Sequence, residues 1–316
     1  MVSRPLELRT YQPPSSTFEL EIGASSACGK GRAQNSDHHL AIRLGRLQET
    51  MLTSLGAADL PPRFEEYAYL LLVADGLDVQ GTGSRASRLA LSALAHLAIR
   101  YGKWNVRVGV ENATEIINQG EFIYRQLSEA MFEAGQADPR LKDMATSLTT
   151  AYIAGTDLFF AHTGHSRAFL FRDGMLIQLT MEHSLERLIS ASAALRRVRL
   201  QSSRPLNFER KSTEAPAAAS EAAGPSARAD VSVEHVQLWS GDRVLLCTNG
   251  LTDVVEDDLI ADALAAQRRP AEDCERLVEL ALSSGAADDV TVMLADYTTR
   301  PAPVTEPDAD VTATDG

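Results

Sequence analysis

The segment that most constrains the fold is an uninterrupted apolar run at Tyr69–Ala74, followed directly by Asp75 and Gly76. A run of this length predicts a buried strand, and the Asp-Gly pair predicts a tight turn that ends it. A carboxylate at the end of a buried strand is costly unless something positive meets it. A second acidic position, at Asp288-Asp289, stands immediately before a C-terminal apolar segment. These two acidic strand ends predict a hard-cation site that the fold assembles.

Composition and charge exclude several classes of protein. The 316 residues carry a net charge of −13, which argues against a nucleic-acid or anionic-membrane binder because either would need a basic face. No stretch approaches the length of a membrane span, and the N-terminus lacks a signal pattern. The three cysteines show no paired spacing, so neither disulfides nor a zinc site is indicated. We expect a cytoplasmic protein.

Hydrophobic periodicity predicts strands before two central helices. Alternation at Thr17–Ala27 predicts a half-buried strand, and further strands are predicted at His39–Ile42 and Leu70–Ala74. Residues 43–65 are expected to form a surface excursion. A helix is predicted to begin at a Ser84 cap, and a second amphipathic helix from Asn112 to Phe132.

Two predicted hairpins follow the helices. They join Leu148–Ile153 to Leu158–His162, and Ala168–Phe171 to Leu176–Leu179 with a turn at Asp173-Gly174, so we expect an antiparallel meander. Further strands are predicted at residues 242–247 and 290–294. Strands at both ends of the chain around central helices predict one α+β domain of stacked antiparallel sheets and helices.

The composition also sets limits to that domain. Residues 1–16 are polar and are expected to be flexible, and the domain itself is expected over 17–298. The Ala/Ser/Pro-rich stretch 202–230 is predicted to be a mobile insertion. Residues 299–316 are expected to be a disordered acidic tail.

Five short motifs stand in a fixed order along the chain. They lie at Gly31–Asp37, Asp75–Val79, Met144–Thr149, Gly164–Arg167 and Gly241–Asp253, the fifth with a closing segment at Asp288–Thr291. Together they resemble the motifs of the metal-dependent serine/threonine protein phosphatases of type 2C, in their bacterial form. The first resembles the family's Arg-x-x-Asn-Glu-Asp, the second Asp-Gly-x-Gly-Gly, the third Met-Gly-Thr-Thr-Leu-Thr, the fourth Gly-Asp-Ser-Arg, and the fifth Ser-Asp-Gly-Leu with a closing Asp-Asn-x-Thr. The resemblance implies a four-layer α/β/β/α sandwich, in which two antiparallel sheets are flanked by helices.

The resemblance also implies roles for individual residues. Asp75 would bridge two Mn²⁺ or Mg²⁺ ions, with the Gly76 carbonyl on one ion and Asp288 on the other. Asp37 would lie nearby and act through water. Arg32 would bind the substrate phosphate, because a guanidinium can contact two phosphate oxygens at once. Oxygen ligands are the ones that such cations prefer.

Several positions depart from the family pattern. Asn249 stands where the family has a metal-binding aspartate; its amide oxygen can still coordinate a cation, but the charge is gone. Asp143 falls where many members keep an acid for a third ion, and a solvated surface carboxylate is an equal alternative. His165 replaces an aspartate and is either a loop residue or an additional ligand that would favour Mn²⁺. Asp289 replaces the family's asparagine and is expected to hold a turn.

Three functions remain open at this point. The first is a phosphatase that removes phosphate from serine or threonine of a phosphorylated protein, with a cognate serine/threonine kinase as a possible further partner. The second is a pseudophosphatase that binds a phosphoprotein or kinase without turnover, which Asn249 motivates. The third is a hydrolase of small phosphate esters. Two ions are expected in the catalytic case, and Asn249 puts a third in doubt.

Overall fold

The computed structural model describes residues 18–300 except 57–63, 78–80, 102–109, 142–143, 181–207, 210–230 and 232. Segment 1–16 and residue Asp143 therefore lie outside the described residues, as do nearly all of 202–230 and 299–316. The expectations about these parts of the chain stay predictions.

Eleven strands and five α-helices make up the described part of the chain, with a short 3-10 helix at Pro139–Leu141. The strands are β1 Phe18–Ala27, β2 His38–Gln48, β3 Phe64–Leu77, β4 Ala145–Ala154, β5 Asp157–Thr163, β6 Arg167–Arg172, β7 Met175–Gln178, β8 Phe208–Glu209, β9 Glu234–Gln237, β10 Arg243–Cys247 and β11 Val290–Thr299. The helices are α1 Gly83–Tyr101, α2 Val110–Ala137, α3 Asn249–Thr252, α4 Asp257–Ala265 and α5 Pro270–Ser283.

The strands form two antiparallel sheets. The order is β1-β11-β10-β6-β7 in the five-stranded sheet and β2-β3-β4-β5-β9-β8 in the six-stranded sheet. The apolar run of β3 is uninterrupted because both of its faces are buried: Leu71 and Val73 pack between the sheets, whereas Leu72 and Ala74 pack under α1 and α2.

Three apolar layers result from this arrangement. One lies between the sheets, one lies between the six-stranded sheet and helices α1 and α2, and one lies between the five-stranded sheet and helices α4 and α5. The predicted four-layer α/β/β/α sandwich is therefore confirmed.

The prediction that β3 ends in a tight turn at Asp75 is wrong. The strand continues to Leu77, because Asp75 pairs with Ser147 of β4 and Gly76 pairs with Thr146. The Asp75 backbone is therefore held by β4, and the residue before it, Ala74, is also paired with His38 of β2, which fixes the carboxylate more firmly than a turn would.

The prediction that residues 43–65 form a surface excursion is also wrong, because residues at both ends of this stretch belong to paired strands. Strand β2 continues to Gln48 and β3 begins at Phe64, in a register that runs from His38 opposite Ala74 to Gln48 opposite Phe64. Polar and charged residues in this stretch can be extended because β2 is an edge strand with one side open to water.

The two predicted hairpins exist, but they do not form one meander. The β4–β5 hairpin belongs to the six-stranded sheet and the β6–β7 hairpin to the five-stranded sheet. The chain crosses between the sheets at residues 164–166, and strand alternation carries no information about which sheet a hairpin joins. The predicted turn at Asp173-Gly174 is confirmed, since both residues have positive φ, 51° and 78°.

Candidate metal centre

Two buried carboxyl groups form the centre of the candidate site. Asp75 of β3 is 3% exposed, and Asp37, which directly precedes β2, is 6% exposed. The two carboxyl groups lie close enough together for each to influence the protonation of the other. Burial is the main cause that raises the pKa of each above the ordinary range of an aspartate, followed by the charge of Asp75 on Asp37 and of Asp288 on Asp75. Such a pair gains from any cation that compensates its charge.

Thr248 holds Asp37 in place from the other sheet. Its hydroxyl donates to Asp37 Oδ2 over 2.8 Å and accepts from the Thr291 N–H over 2.9 Å. Thr248 directly follows β10, and Thr291 lies in β11. The carboxyl of Asp37 is thus positioned by the ends of two strands that the chain places far from it in sequence.

Two buried oxygen atoms at this site have no hydrogen-bond partner among the described residues. They are Oδ1 of Asp37 and Oδ1 of Asn249. The Asn249 amide nitrogen donates to Asp253 Oδ2 over 2.9 Å, so the amide oxygen is the atom left over. Buried acceptors without a donor are unusual in a folded protein, and oxygen atoms of this type are ligands for hard cations. The donor set therefore fits Mn²⁺ or Mg²⁺.

Gly76 lies where the β3 backbone touches the start of α1. A Cβ on Gly76 would stand 2.1 Å from the carbonyl oxygen of Gly83, the first residue of that helix. A glycine is required by this close approach. The Gly76 carbonyl oxygen in turn faces Gly83, where an added Cβ would stand 2.4 Å from it.

Arg32 lies against the acidic pair that precedes β11. Its Nη2 atom is 2.7 Å from Asp288 Oδ1, and its Nη1 atom is 3.0 Å from Asp289 Oδ2. The predicted phosphate-binding arginine and the predicted metal ligand Asp288 are therefore ion-paired with each other. The structure brings Arg32, Asp37, Asp75 and Asp288 to one site, in agreement with their expected proximity, while their roles stay predictions.

No three His, Cys, Asp or Glu side chains within the described ranges are grouped so as to hold a metal ion by themselves. Asp288 is ion-paired with Arg32, and Asp37 accepts a hydrogen bond from Thr248. A cation would have to compete for Asp288 and would also need the Gly76 carbonyl and the Asn249 amide oxygen.

Sequence reasoning missed the side chains that position the acids. Besides Thr248, the Thr146 hydroxyl donates to the Asp75 carbonyl oxygen over 2.7 Å. The Ser87 hydroxyl donates to the Ser36 carbonyl oxygen over 2.5 Å and so ties α1 to the segment before β2. Ser87 interrupts an apolar helix face, which is a signal that the sequence contained.

The other candidate residues have simpler positions. His165 is exposed in the turn between β5 and β6, and its backbone N–H donates to Ser147 Oγ over 3.1 Å, as expected of a loop residue. Asp253 lies directly after the C-terminal end of α3. Asp289 is buried, and its side chain accepts backbone hydrogen bonds from Gly29 and Ser36, which lie far from it in sequence. Its expected role in holding a turn stays a prediction.

Comparison with known proteins places the chain in a family. The Protein phosphatase 2C family matches residues 123–290, which is more than half of the chain. The chain therefore belongs to the protein phosphatase 2C family. Within the described residues no helix is long and apolar enough to span a membrane.

Individual relatives agree with this assignment. The serine/threonine protein phosphatase PstP of Mycobacterium tuberculosis (strain CDC 1551 / Oshkosh) is 30% identical over 229 residues, which cover 72% of this chain and 40% of that protein. The chain thus spans less than half the length of this relative. The serine/threonine phosphatase stp of Listeria monocytogenes (serotype 4b) is 26% identical over 227 residues, which cover 72% of this chain and 84% of that protein.

A solved structure supports the fold assignment. The crystal structure of the catalytic domain of serine threonine protein phosphatase PstP, in complex with two manganese ions, has a TM-score of 0.61 and 27% identity to this chain. The likeness covers 89% of this chain and all of that one.

Proposed function

We propose that this chain is a metal-dependent phosphatase that removes phosphate from serine or threonine of phosphorylated proteins. The observation that carries the proposal is the buried pair of acids, Asp37 and Asp75, together with two buried oxygen atoms that have no hydrogen-bond partner among the described residues. These atoms are Oδ1 of Asp37 and Oδ1 of Asn249. Membership of the family and the names of its relatives support the same reaction.

We assign Asp75, the Gly76 carbonyl, Asp288 and Asn249 as ligands of two Mn²⁺ or Mg²⁺ ions, with Asp37 nearby. When bound, such ions lower the pKa of a water molecule and neutralise charge on the phosphate. Manganese is the ion found with the PstP catalytic domain.

The protein's own side chains bind and orient the substrate. Arg32 is 29% exposed and can turn part of its guanidinium toward phosphate oxygens. Thr248 and Thr146 hold the Asp37 carboxyl and the Asp75 backbone in fixed positions, so that the acids need little reorganisation during the reaction.

The test measures hydrolysis of a phosphothreonine peptide and of para-nitrophenyl phosphate, with Mn²⁺, Mg²⁺ or EDTA. We expect metal-dependent turnover of both by the wild type, and a loss of at least about a hundredfold in Asp75→Asn, since a lost charge stabilisation of this kind costs about 10²–10³ in rate. Asp138→Asn is the matched control, because it neutralises an aspartate in an exposed Arg–Asp pair outside the site. Unchanged turnover in Asp75→Asn would contradict the proposal.

Asn249 provides the test between the enzyme and a pseudophosphatase. The Asn249→Asp variant restores the carboxylate of the family pattern. A silent wild type with activity gained in the variant would support a binding protein of the same fold, whereas turnover by the wild type at micromolar Mn²⁺ would exclude it. Hydrolysis of para-nitrophenyl phosphate without hydrolysis of the peptide would instead indicate a small-ester hydrolase.

A further inference from the structure

Asp289 accepts three hydrogen bonds that together close the segment carrying Arg32. Its Oδ1 accepts from the Gly29 N–H over 2.9 Å, and its Oδ2 accepts from the Ser36 N–H over 2.8 Å and from Arg32 Nη1 over 3.0 Å. Residues 29 and 36 are the two ends of the segment around Arg32. A single side chain from the other end of the chain therefore fixes both the segment and its guanidinium.

Only a carboxylate can satisfy these three donors. An asparagine, which the family pattern has at this position, offers one acceptor oxygen and one NH₂ group. In either orientation of the amide, its NH₂ would face at least one of these N–H donors, and the negative charge that attracts the Arg32 guanidinium would be gone. The full set of three contacts, and the ion pair with Arg32, thus depend on the aspartate that this chain carries.

The two contacts of the Arg32 guanidinium differ in their burial. The Asp289 side chain is 0% exposed, whereas the Asp288 side chain is 33% exposed. A phosphate group arriving from solvent can exchange with the exposed carboxylate on Nη2. The buried contact on Nη1 remains, because an unpaired buried carboxylate is costly.

We propose that Asp289 is a positioning residue, which anchors one edge of the Arg32 guanidinium so that Nη2 is presented to a substrate phosphate. The inference rests on the proposed function, because it concerns the phosphate group of that substrate. It assigns Asp289 no contact with the substrate or the reacting atoms; the residue acts through Arg32.

A double-mutant cycle tests the inference. Binding of inorganic phosphate is measured by isothermal titration calorimetry in Mg²⁺ buffer for the wild type, Asp289→Asn, Arg32→Gln and the double variant. We expect Asp289→Asn to weaken phosphate binding about tenfold, and to have no further effect once Arg32 is replaced, since residues in one network are not additive. Asp138→Asn is again the control.

The alternative outcomes are distinct. Unchanged phosphate affinity in Asp289→Asn overturns the inference, and so does an equal loss in both backgrounds, which would be a structural effect independent of Arg32. In peptide hydrolysis we expect Asp289→Asn to raise KM more than it lowers kcat. If the wild type does not hydrolyse the peptide, the proposed function fails, while calorimetry still decides the role of Asp289.

A second measurement needs no variant, and it applies if Asp289→Asn does not fold. Carboxyl ¹³C resonances of the wild type are followed during titration with inorganic phosphate. We expect the Asp288 resonance to move, because its contact with Nη2 is exchanged, and the Asp289 resonance to stay. A shift at Asp289 as large as that at Asp288 would overturn the inference.

Discussion

The hydroxyl of Thr248 provides the sharpest test of how the site is held together. Replacing Thr248 by valine keeps the size and branching of the side chain but removes its hydroxyl. Two hydrogen bonds are lost, the donation to Asp37 Oδ2 at 2.8 Å and the acceptance from the Thr291 N–H at 2.9 Å. Thr248 is fully buried, and Asp37 nearly so, so water cannot replace either bond.

The magnitude follows from these two bonds. A buried N–H without an acceptor costs about 1–3 kcal/mol, and the lost bond to Asp37 contributes about 1 kcal/mol more. We therefore expect Thr248→Val to lower the free energy of unfolding by about 2–4 kcal/mol. We also expect weaker Mn²⁺ binding, because Asp37 is no longer fixed.

The assay is urea denaturation in EDTA, followed by calorimetric Mn²⁺ titration. Thr248→Ser is the matched control, since it keeps the hydroxyl and loses one methyl group, at a cost of about 1 kcal/mol. Two results would refute the reasoning. One is a free energy of unfolding for the valine variant within about 1 kcal/mol of the wild-type value, which is no more than the cost of one methyl group. The other is a serine variant that is destabilised as much as the valine variant.

Three further predictions concern the packing of Gly76, the pKa values of the two buried acids and a buried ion pair between Arg172 and Asp242. Gly76→Ala should prevent correct packing of α1, since the added Cβ would stand 2.1 Å from a carbonyl oxygen, and circular dichroism with thermal melting will show lost stability. Burial raises the pKa of Asp37 to about 9 and of Asp75 to about 6. A carboxyl group whose pKa is raised by folding stabilises the folded state at low pH, and this stabilisation is lost as pH rises through the raised pKa. The melting temperature in EDTA should therefore fall as pH rises toward and through these values, and it should fall less steeply in Asp37→Asn. Asp242→Asn, which leaves the buried Arg172 unpaired, should cost about 3–5 kcal/mol in urea denaturation, with little change in kcat of the folded enzyme.

Much of the fold could be predicted from sequence, because periodicity records burial. The apolar run at Leu70–Ala74 gave a central strand, and the helical spacing after Ser84 gave a helix that packs on it. Asp75 and Asp288 were found because burying a carboxylate beside a strand costs free energy unless a positive charge or a hydrogen-bond donor compensates it. Strand ends were less predictable, since the pairing that extends β3 through Asp75 to Leu77 involves β4, about seventy residues further along the chain.

The side chains that position the site were harder to find. Thr248 is inconspicuous in sequence, because serine and threonine occur commonly at strand ends and in turns. Asp289 stood out as an acidic residue before a strand, but nothing in the sequence indicated its contacts with Gly29, Arg32 and Ser36. Their roles depend on partners that are distant in sequence, such as Asp37 for Thr248 and Ser36 for Asp289.

The sequence by itself determined the layered α+β architecture and the positions of Asp75 and Asp288 beside buried strands, because burial and strand period are local properties of the residues; Asp37 was expected only from the family resemblance. Only the tertiary structure decided which sheet each hairpin joins, that Thr248 fixes Asp37, and that Arg32 lies between Asp288 and Asp289. The physical reason is that hydrogen bonds and ion pairs depend on distances of a few ångströms between distant segments. Those distances exist only after both sheets have packed together.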